Sequence, residues 1–157
     1  MPTYRKGDMF EAALNERPLN LYVTANATIK SNGTNLVMGC GAALQLRQLH
    51  PGLPRWFGVQ VARIADLQGV SAYQATYGIL HATGTIYGLF QVKHHFGENA
   101  QPRLIELSAD ILRRRAQFFN DALFFVNMPG VGAGRLKPEA VFPILKVLPS
   151  NVHIWSY

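Results

Sequence analysis

Two glycine-rich stretches carry the clearest chemistry in the sequence: Met38-Gly39-Cys40-Gly41-Ala42-Ala43 and Pro129-Gly130-Val131-Gly132-Ala133-Gly134. Lacking a Cβ, glycine admits positive φ and lets successive backbone N–H groups converge on one anion. Each stretch follows a strand-like run and precedes a helical one, which places a helix N-terminus behind it. Free amides and about half a positive charge collect there. The chemistry this suits is the grip of a phosphate. Neither stretch ends in the Gly-Lys-Ser/Thr of a Walker loop, and neither has the later acidic residue of the dinucleotide fingerprint. One such stretch is commonly an ordinary tight turn. Two of them at the carboxyl ends of predicted strands point to a diphosphate site, because open α/β sheets bind ligands at that edge.

Few other residues combine into a reactive set. Cys40 is the only cysteine, so no intramolecular disulfide can form, and the simplest compartment is a reducing one. Nothing near it in sequence would activate its thiolate, and its place in the first stretch suits any small residue. The five histidines (His50, His81, His94, His95 and His153) lack zinc spacing, and the neighbours His94 and His95 do not share a helical i,i+4 face. The sequence predicts no metal and no cofactor.

The elements that must position these loops follow from hydrophobic periodicity. Residues 19–24 read as a strand, 41–50 as a helix stopped by Pro51-Gly52, and 53 to about 65 as a further helix. Residues 76–81 and 85–92 flank Ala82-Thr83-Gly84 as a candidate hairpin. Residues 101–120 form the clearest helix, about 30 Å long, with Ile105, Ala109, Leu112, Ala116 and Phe119 on one stripe. Residues 122–128 are an unbroken apolar strand, the pattern of one covered on both faces. Residues 138–147 form a last helix, opened by Pro138 and kinked or shortened by Pro143. Residues 151–155 close as a strand. Alternating strands and helices predict an α/β fold, a three-layer α/β/α sandwich around a mixed central sheet.

The 157 residues suit one domain, 1–157, able to bury about 70% of its unfolded surface. With 48% hydrophobic and 15% charged residues the chain reads as a packed globule rather than a disordered one. No apolar run reaches the roughly 20 residues of a membrane span, and no apolar signal segment follows the basic residues near the start. The expectation is a cytoplasmic protein without a membrane partner. The net charge of +6 suits an anionic ligand or a nucleic acid, although the densest basic run, Arg113-Arg114-Arg115, lies in a predicted helix and reads first as a solvated face.

From Tyr4 to Tyr157 the chain resembles a macro domain, the family of ADP-ribose-binding modules. Three segments carry the resemblance in order: Lys6-Gly7-Asp8-Met9-Phe10, the Met38 stretch, and Met128 with the Pro129 stretch. The Met-Gly-small-Gly form of the first loop is similar to the branch of terminal ADP-ribose glycohydrolases and DNA-ADP-ribose glycohydrolase antitoxins. Val23-Thr24-Ala25-Asn26 replaces the Asn-Ala-Ala-Asn signature of the better-known hydrolytic branch. The resemblance implies ADP-ribose, or a macromolecule carrying it, as partner, with a modified nucleic acid among the possible substrates. Asp8 would accept from the adenine amino group and the Met9 amide would meet a ring nitrogen. Trp155 would pack near adenine, and Asn26 and Asn35 would bond the distal ribose. Gly39, Cys40, Gly41 and Ala42 would line one side of the pyrophosphate. Gly130, Val131, Gly132, Ala133, Gly134 and the charge-assisted fork of Arg135 would line the other.

Each of these side chains also has a plain structural use: Asp8 as a helix cap, Trp155 as a buried aromatic, the asparagines as loop residues. For catalysis, the branch implies a lysine nucleophile, matched by Lys93 or, one residue on, His94, and an aspartate in the second loop. An amine of lowered pKa can attack. The aspartate is absent: Arg135-Leu136-Lys137 follows Gly134, and Glu139 lies past Pro138. Three functions therefore stand: an ADP-ribose-binding module, an ADP-ribosyl glycohydrolase, and a basic nucleic-acid binder.

Overall fold

The computed structural model describes residues 1–31 and 33–157. Six strands form one mixed sheet in the order β1-β6-β5-β2-β4-β3. They are β1 (Thr3–Lys6), β2 (Asn20–Ala25), β3 (Ile79–His81), β4 (Tyr87–Gln91), β5 (Phe124–Asn127) and β6 (Val152–Ser156). All neighbours run parallel except the β3–β4 hairpin at one edge. The helices are α1 (Met9–Glu16), α2 (Gly41–Leu49), α3 (Leu53–Gln68), α4 (Pro102–Phe118) and α5 (Pro138–Leu145).

Strand alternation divides the core in two. Leu21, Val23, Leu89 and Phe125 face α1, α2 and α3, where they meet Met9, Leu46, Phe57 and Val61. Tyr22, Phe90, Phe124 and Ile154 face α4 and α5, against Ile105, Leu112, Val141 and Leu145. Successive side chains of β2 thus serve opposite layers, which produces the α/β/α sandwich.

Several boundaries depart from the sequence reading for identifiable reasons. The run 76–81 contributes only Ile79–His81 to the sheet. The Tyr77 and Gly78 amides instead donate to Gln91 Oε1 at 2.8 and 3.0 Å, and Gly78 has a φ of 69°. Phe119, placed on the buried stripe of α4, is the C-cap and 39% exposed; Ile105, Ala109, Leu112 and Ala116 are fully buried. The apolar run 122–128 yields the four-residue β5, and Pro143 lies inside α5, which ends at Leu145 rather than residue 147. The helix starting at Leu53 continues to Gln68, where Gly69 at φ 70° stops it. β1 and α1 lacked any periodic signal. β1 exists through its parallel register with β6, and α1 through Asp8, whose Oδ1 accepts from the Phe10 and Glu11 amides at 2.9 and 3.3 Å.

The first glycine-rich stretch does not directly follow a strand. From the end of β2 the chain makes an excursion to Cys40 in which, among the described residues, one isolated bridge joins Ile29 with Leu36. The excursion lies flat on α3 because Gly58 has no side chain: a Cβ there would stand 1.7 Å from the Thr34 carbonyl oxygen. The Leu36 amide completes the seam by donating to the Pro54 carbonyl at 2.8 Å. Gly58→Ala is accordingly expected to destabilise the fold by about 1–3 kcal/mol, the range for overpacking, read as a lowered midpoint in chemical denaturation.

Candidate functional site

A cleft of about 630 Å³ opens along the carboxyl ends of four adjacent parallel strands. Lys93 lies past the end of β4, Thr24 to Asn26 at the end of β2, Asn127 and Met128 at the end of β5, and Trp155 to Tyr157 at the end of β6. Both glycine-rich stretches line this one cleft, at Met38 to Ala43 and at Gly130 to Gly134. The structure thus brings the two stretches to one cleft.

On the first wall, Cys40 is the N-cap of α2 in extended conformation and supplies no side-chain cap. The first α-helical bond runs from the Leu44 amide to the Cys40 carbonyl at 3.2 Å. The amides of Gly41, Ala42 and Ala43 precede it and have no partner within the helix. On the second wall, Gly130 and Gly132 take φ of 76° and 74° and lead into a 3-10 turn, Gly132–Gly134. Its first hydrogen bond, Arg135 amide to Gly132 carbonyl at 2.9 Å, likewise leaves the preceding amides free. The turn is anchored from outside, because the Gly134 carbonyl accepts from the Ala100 amide and the Gly130 carbonyl from the Leu136 amide, at 2.8 and 2.9 Å.

Lys93 is the only ionisable side chain on these walls apart from Cys40 and Tyr157, and no Asp or Glu among the described residues lines the cleft. Its exposure is 8%, and its Nζ donates to the Phe96 carbonyl at 2.9 Å. Burial pushes its pKa below the usual lysine value; Arg135 adds to this, while Cys40 and Glu98 act against it. The turn that holds it is clamped twice. Glu98 Oε1 accepts from the His94 and His95 amides at 2.8 and 3.1 Å, and Thr28 Oγ1 accepts from the Phe96 amide at 3.0 Å. His94 is turned away, with Nε2 3.0 Å from Thr76 Oγ1, and does not line the cleft.

The other candidates divide. Asn26 lines the cleft, but its amide is engaged in the loop: Nδ2 donates to the Val37 carbonyl and Oδ1 accepts from the Thr28 amide, at 3.0 and 2.8 Å. Trp155 is both buried and on the cleft, under the Arg5 guanidinium at 4.1 Å. Its Nε1 is buried without a hydrogen-bond partner among the described residues. Asp8, Met9, Asn35 and Arg135 lie outside the lining. Asp8 caps α1, Met9 packs in the core, the Asn35 carbonyl accepts from Lys30, and Arg135 Nη1 lies 3.4 Å from Asn99 Oδ1. Thr24, Asn127, Phe96 and Tyr157 went unnoticed in the sequence. Asn127 exchanges two 2.9 Å bonds with Thr24 across β5 and β2, a pairing visible only once the strands are ordered.

The basic run does not form a free cationic patch. Arg113 and Arg114 both pair with Asp110, and Arg115 Nε donates to Asn20 Oδ1 at 2.9 Å. Among the described residues no group of three His, Cys, Asp or Glu side chains could hold a metal ion, and no helix is long and apolar enough to cross a membrane.

Comparison with solved structures gives the fold a name. Thermosipho africanus DarTG in complex with ADP-ribose superposes with a TM-score of 0.69 at 19% identity, covering 98% of this chain and 41% of that one. The chain thus spans well under half of that protein. The macrodomain of Mycobacterium tuberculosis DarG matches with a TM-score of 0.68 at 23% identity over 100% of this chain and 98% of its own. The Thermus aquaticus DarG macrodomain matches with 0.62 at 22% identity over 100% and 97%. The fold is a macrodomain fold. No protein-family model matches the sequence, and no curated protein does.

The burial of Lys93 has a measurable consequence. Its amine should titrate below 10.5 when followed by NMR of labelled lysine. A base that burial depresses is destabilising while charged, so folding stability should rise with pH from the folded pKa of Lys93 toward 10.5. Denaturation measured across that window should show the rise in the wild type and not in Lys93→Met.

Proposed function

We propose that the cleft binds ADP-ribose, with the pyrophosphate between the two turns, the adenosine toward Trp155 and Tyr157, and the distal ribose toward Lys93. One observation carries this reading: two sets of backbone amides without partners among the described residues line a single cleft that holds one lysine and no described Asp or Glu side chain. Such a surface favours a dianion and discourages cations. The neighbour of like fold with ADP-ribose bound supports the choice of ligand.

In this reading Gly39 to Ala42 and Gly130 to Gly134 contact phosphate through backbone. Tyr157 and Trp155 flank the base; Asp8 and Met9, which lie outside the lining, would reach it only from beyond the present walls. Asn26 acts by holding the first loop in shape, since its amide is already engaged. Asn35 and Arg135 could reach the ligand only from outside the present walls.

A second reading, ADP-ribosyl glycohydrolysis, is favoured by the placement of Lys93. A buried amine of lowered pKa at the distal-ribose end is suited to attack an anomeric carbon and release the attached macromolecule. No carboxylate on the walls is available to assist it.

Calorimetry with ADP-ribose tests the first reading. Gly132→Val forces a β-branched residue to φ 74°, a strain of about 1–2 kcal/mol, so affinity should fall about five- to thirtyfold. Unchanged affinity in that variant would remove the second turn from the site. The second reading is tested with ADP-ribosylated protein and DNA: Lys93→Ala should abolish release of ADP-ribose while leaving affinity within about threefold. Wild-type turnover in that variant would exclude the lysine mechanism.

A further inference from the structure

β1 is an edge strand, and its outer side has no partner strand among the described residues. Just past it, the Gly7 amide donates to the Ser156 carbonyl of β6 at 2.8 Å. Successive residues of a strand turn their N–H and C=O groups to opposite edges. Thr3 and Arg5 therefore face β6 with Gly7, and the backbone groups of Tyr4 and Lys6 face outward. An open edge of this kind is a template for another extended chain.

A groove of about 420 Å³ runs beside that edge, between β1 and α5. Its floor is aromatic: Tyr4 and Phe142 meet edge to face with ring centroids 5.3 Å apart, and both stay exposed. Its rim is cationic. Lys6 and Lys146, the C-cap of α5, line it, and neither has an ion pair among the described residues. Arg5 also reaches the groove, but its guanidinium is engaged with Glu16. No Asp or Glu side chain among the described residues lines it. β1 runs parallel to β6, and α5 is the crossover between the parallel strands β5 and β6, so β1 and α5 run in opposite directions. Lys6 follows Tyr4 along the strand and Lys146 follows Phe142 along the helix, which puts the two lysines on opposite sides of the aromatic pair.

One occupant matches all three features: an extended backbone with a central apolar side chain and a carboxylate on either side. Alternate residues of a strand lie about 6.6 Å apart on one face. The i,i+4 step from Phe142 to Lys146 is about 6 Å along the helix axis, so the two spacings agree. A nucleotide would use the rings and the lysines and leave the backbone edge unmatched. An uncharged peptide would leave the lysines unmatched.

We propose that β1 and this groove dock an acidic segment of another protein as an added strand, with the pattern acidic-x-apolar-x-acidic. The apolar side chain covers the Tyr4–Phe142 pair, and the two carboxylates meet Lys6 and Lys146. This interface is independent of the ligand proposed for the main cleft, whose walls include neither lysine.

The probe is a blocked, fluorescein-labelled peptide, Thr-Glu-Thr-Phe-Thr-Glu-Thr, titrated with the whole chain and followed by anisotropy. It should bind with a Kd below about 1 mM. Replacing both of its Glu by Lys, or its Phe by Ala, should each weaken binding about tenfold. Lys6→Glu with Lys146→Glu should invert the charge preference, so that the lysine peptide binds better than the glutamate one. Two further peptides test the added strand, one N-methylated at Glu, Phe and Glu and the other at the three Thr that follow them. A strand turns alternate amides toward its partner, so only one of the two should lose binding. No saturation by about 1 mM would overturn the interface. Equal behaviour of the two methylated peptides would overturn the strand addition, and an unchanged charge preference in the reversed variant would overturn the role of the lysines. Binding of an oligothymidylate that the reversal abolishes, without binding of the peptide, would assign the groove to nucleic acid instead. Should the double variant fail to fold, the methylated pair and the charge-swapped peptide decide on the wild type alone.

Discussion

Unpartnered backbone amides must be aimed at one point for this cleft to grip an anion, and every part of the architecture serves that aim. A parallel sheet sends the carboxyl ends of its strands to one edge, because each crossover helix returns the chain to the opposite edge. β4, β2, β5 and β6 therefore release their chains side by side. Each glycine-rich stretch turns there before its amides can enter a helical ladder. β2 is the pivot: the chain leaves it toward β4 on one side and later returns to β5 on the other. That reversal opens the crevice in which the two turns face one another.

The turns are held from behind rather than by each other. α3 supports the segment leading into the first through the close contact of Gly58 with Thr34, and the Ala100 amide fixes the second through Gly134. A Cβ on Gly134 would approach that of Ala100 to 2.9 Å, so backbone proximity is again the condition. The turn between them, carrying Lys93, is shaped by Glu98 and Thr28, and its Phe96 carbonyl takes a proton donor from the lysine. The cleft thus combines rigid donors with one cation in largely apolar walls, where electrostatic interactions are stronger than in water.

The chain shares its fold with the DarG macrodomains. Lys93 stands buried on the cleft wall, and burial lowers its pKa from the ordinary lysine value. The second turn continues into Arg135 and Lys137, and the next acid in the sequence, Glu139, is exposed on α5. Binding and hydrolysis make separate demands on this site. In the proposed readings the amide turns would serve the first, and hydrolysis would rest on Lys93, with no Asp or Glu side chain among the described residues on the walls.

Much of this was legible in the residues themselves. Glycine spacing marks both turns because positive φ is a local property that few other residues tolerate. Apolar periodicity marks α4 and the buried strands because a helix or strand must show its core face in its own sequence. Other features depended on residues far apart in the chain. β1 is four mixed residues that become a strand only beside β6, and α1 carried no periodic signal. The Thr24–Asn127 pair, the burial of Lys93 rather than His94, and the withdrawal of Asp8 and Arg135 from the walls likewise depend on packing between distant segments. Local conformation was written in the sequence, whereas the partner each polar group finds was set when the sheet was assembled.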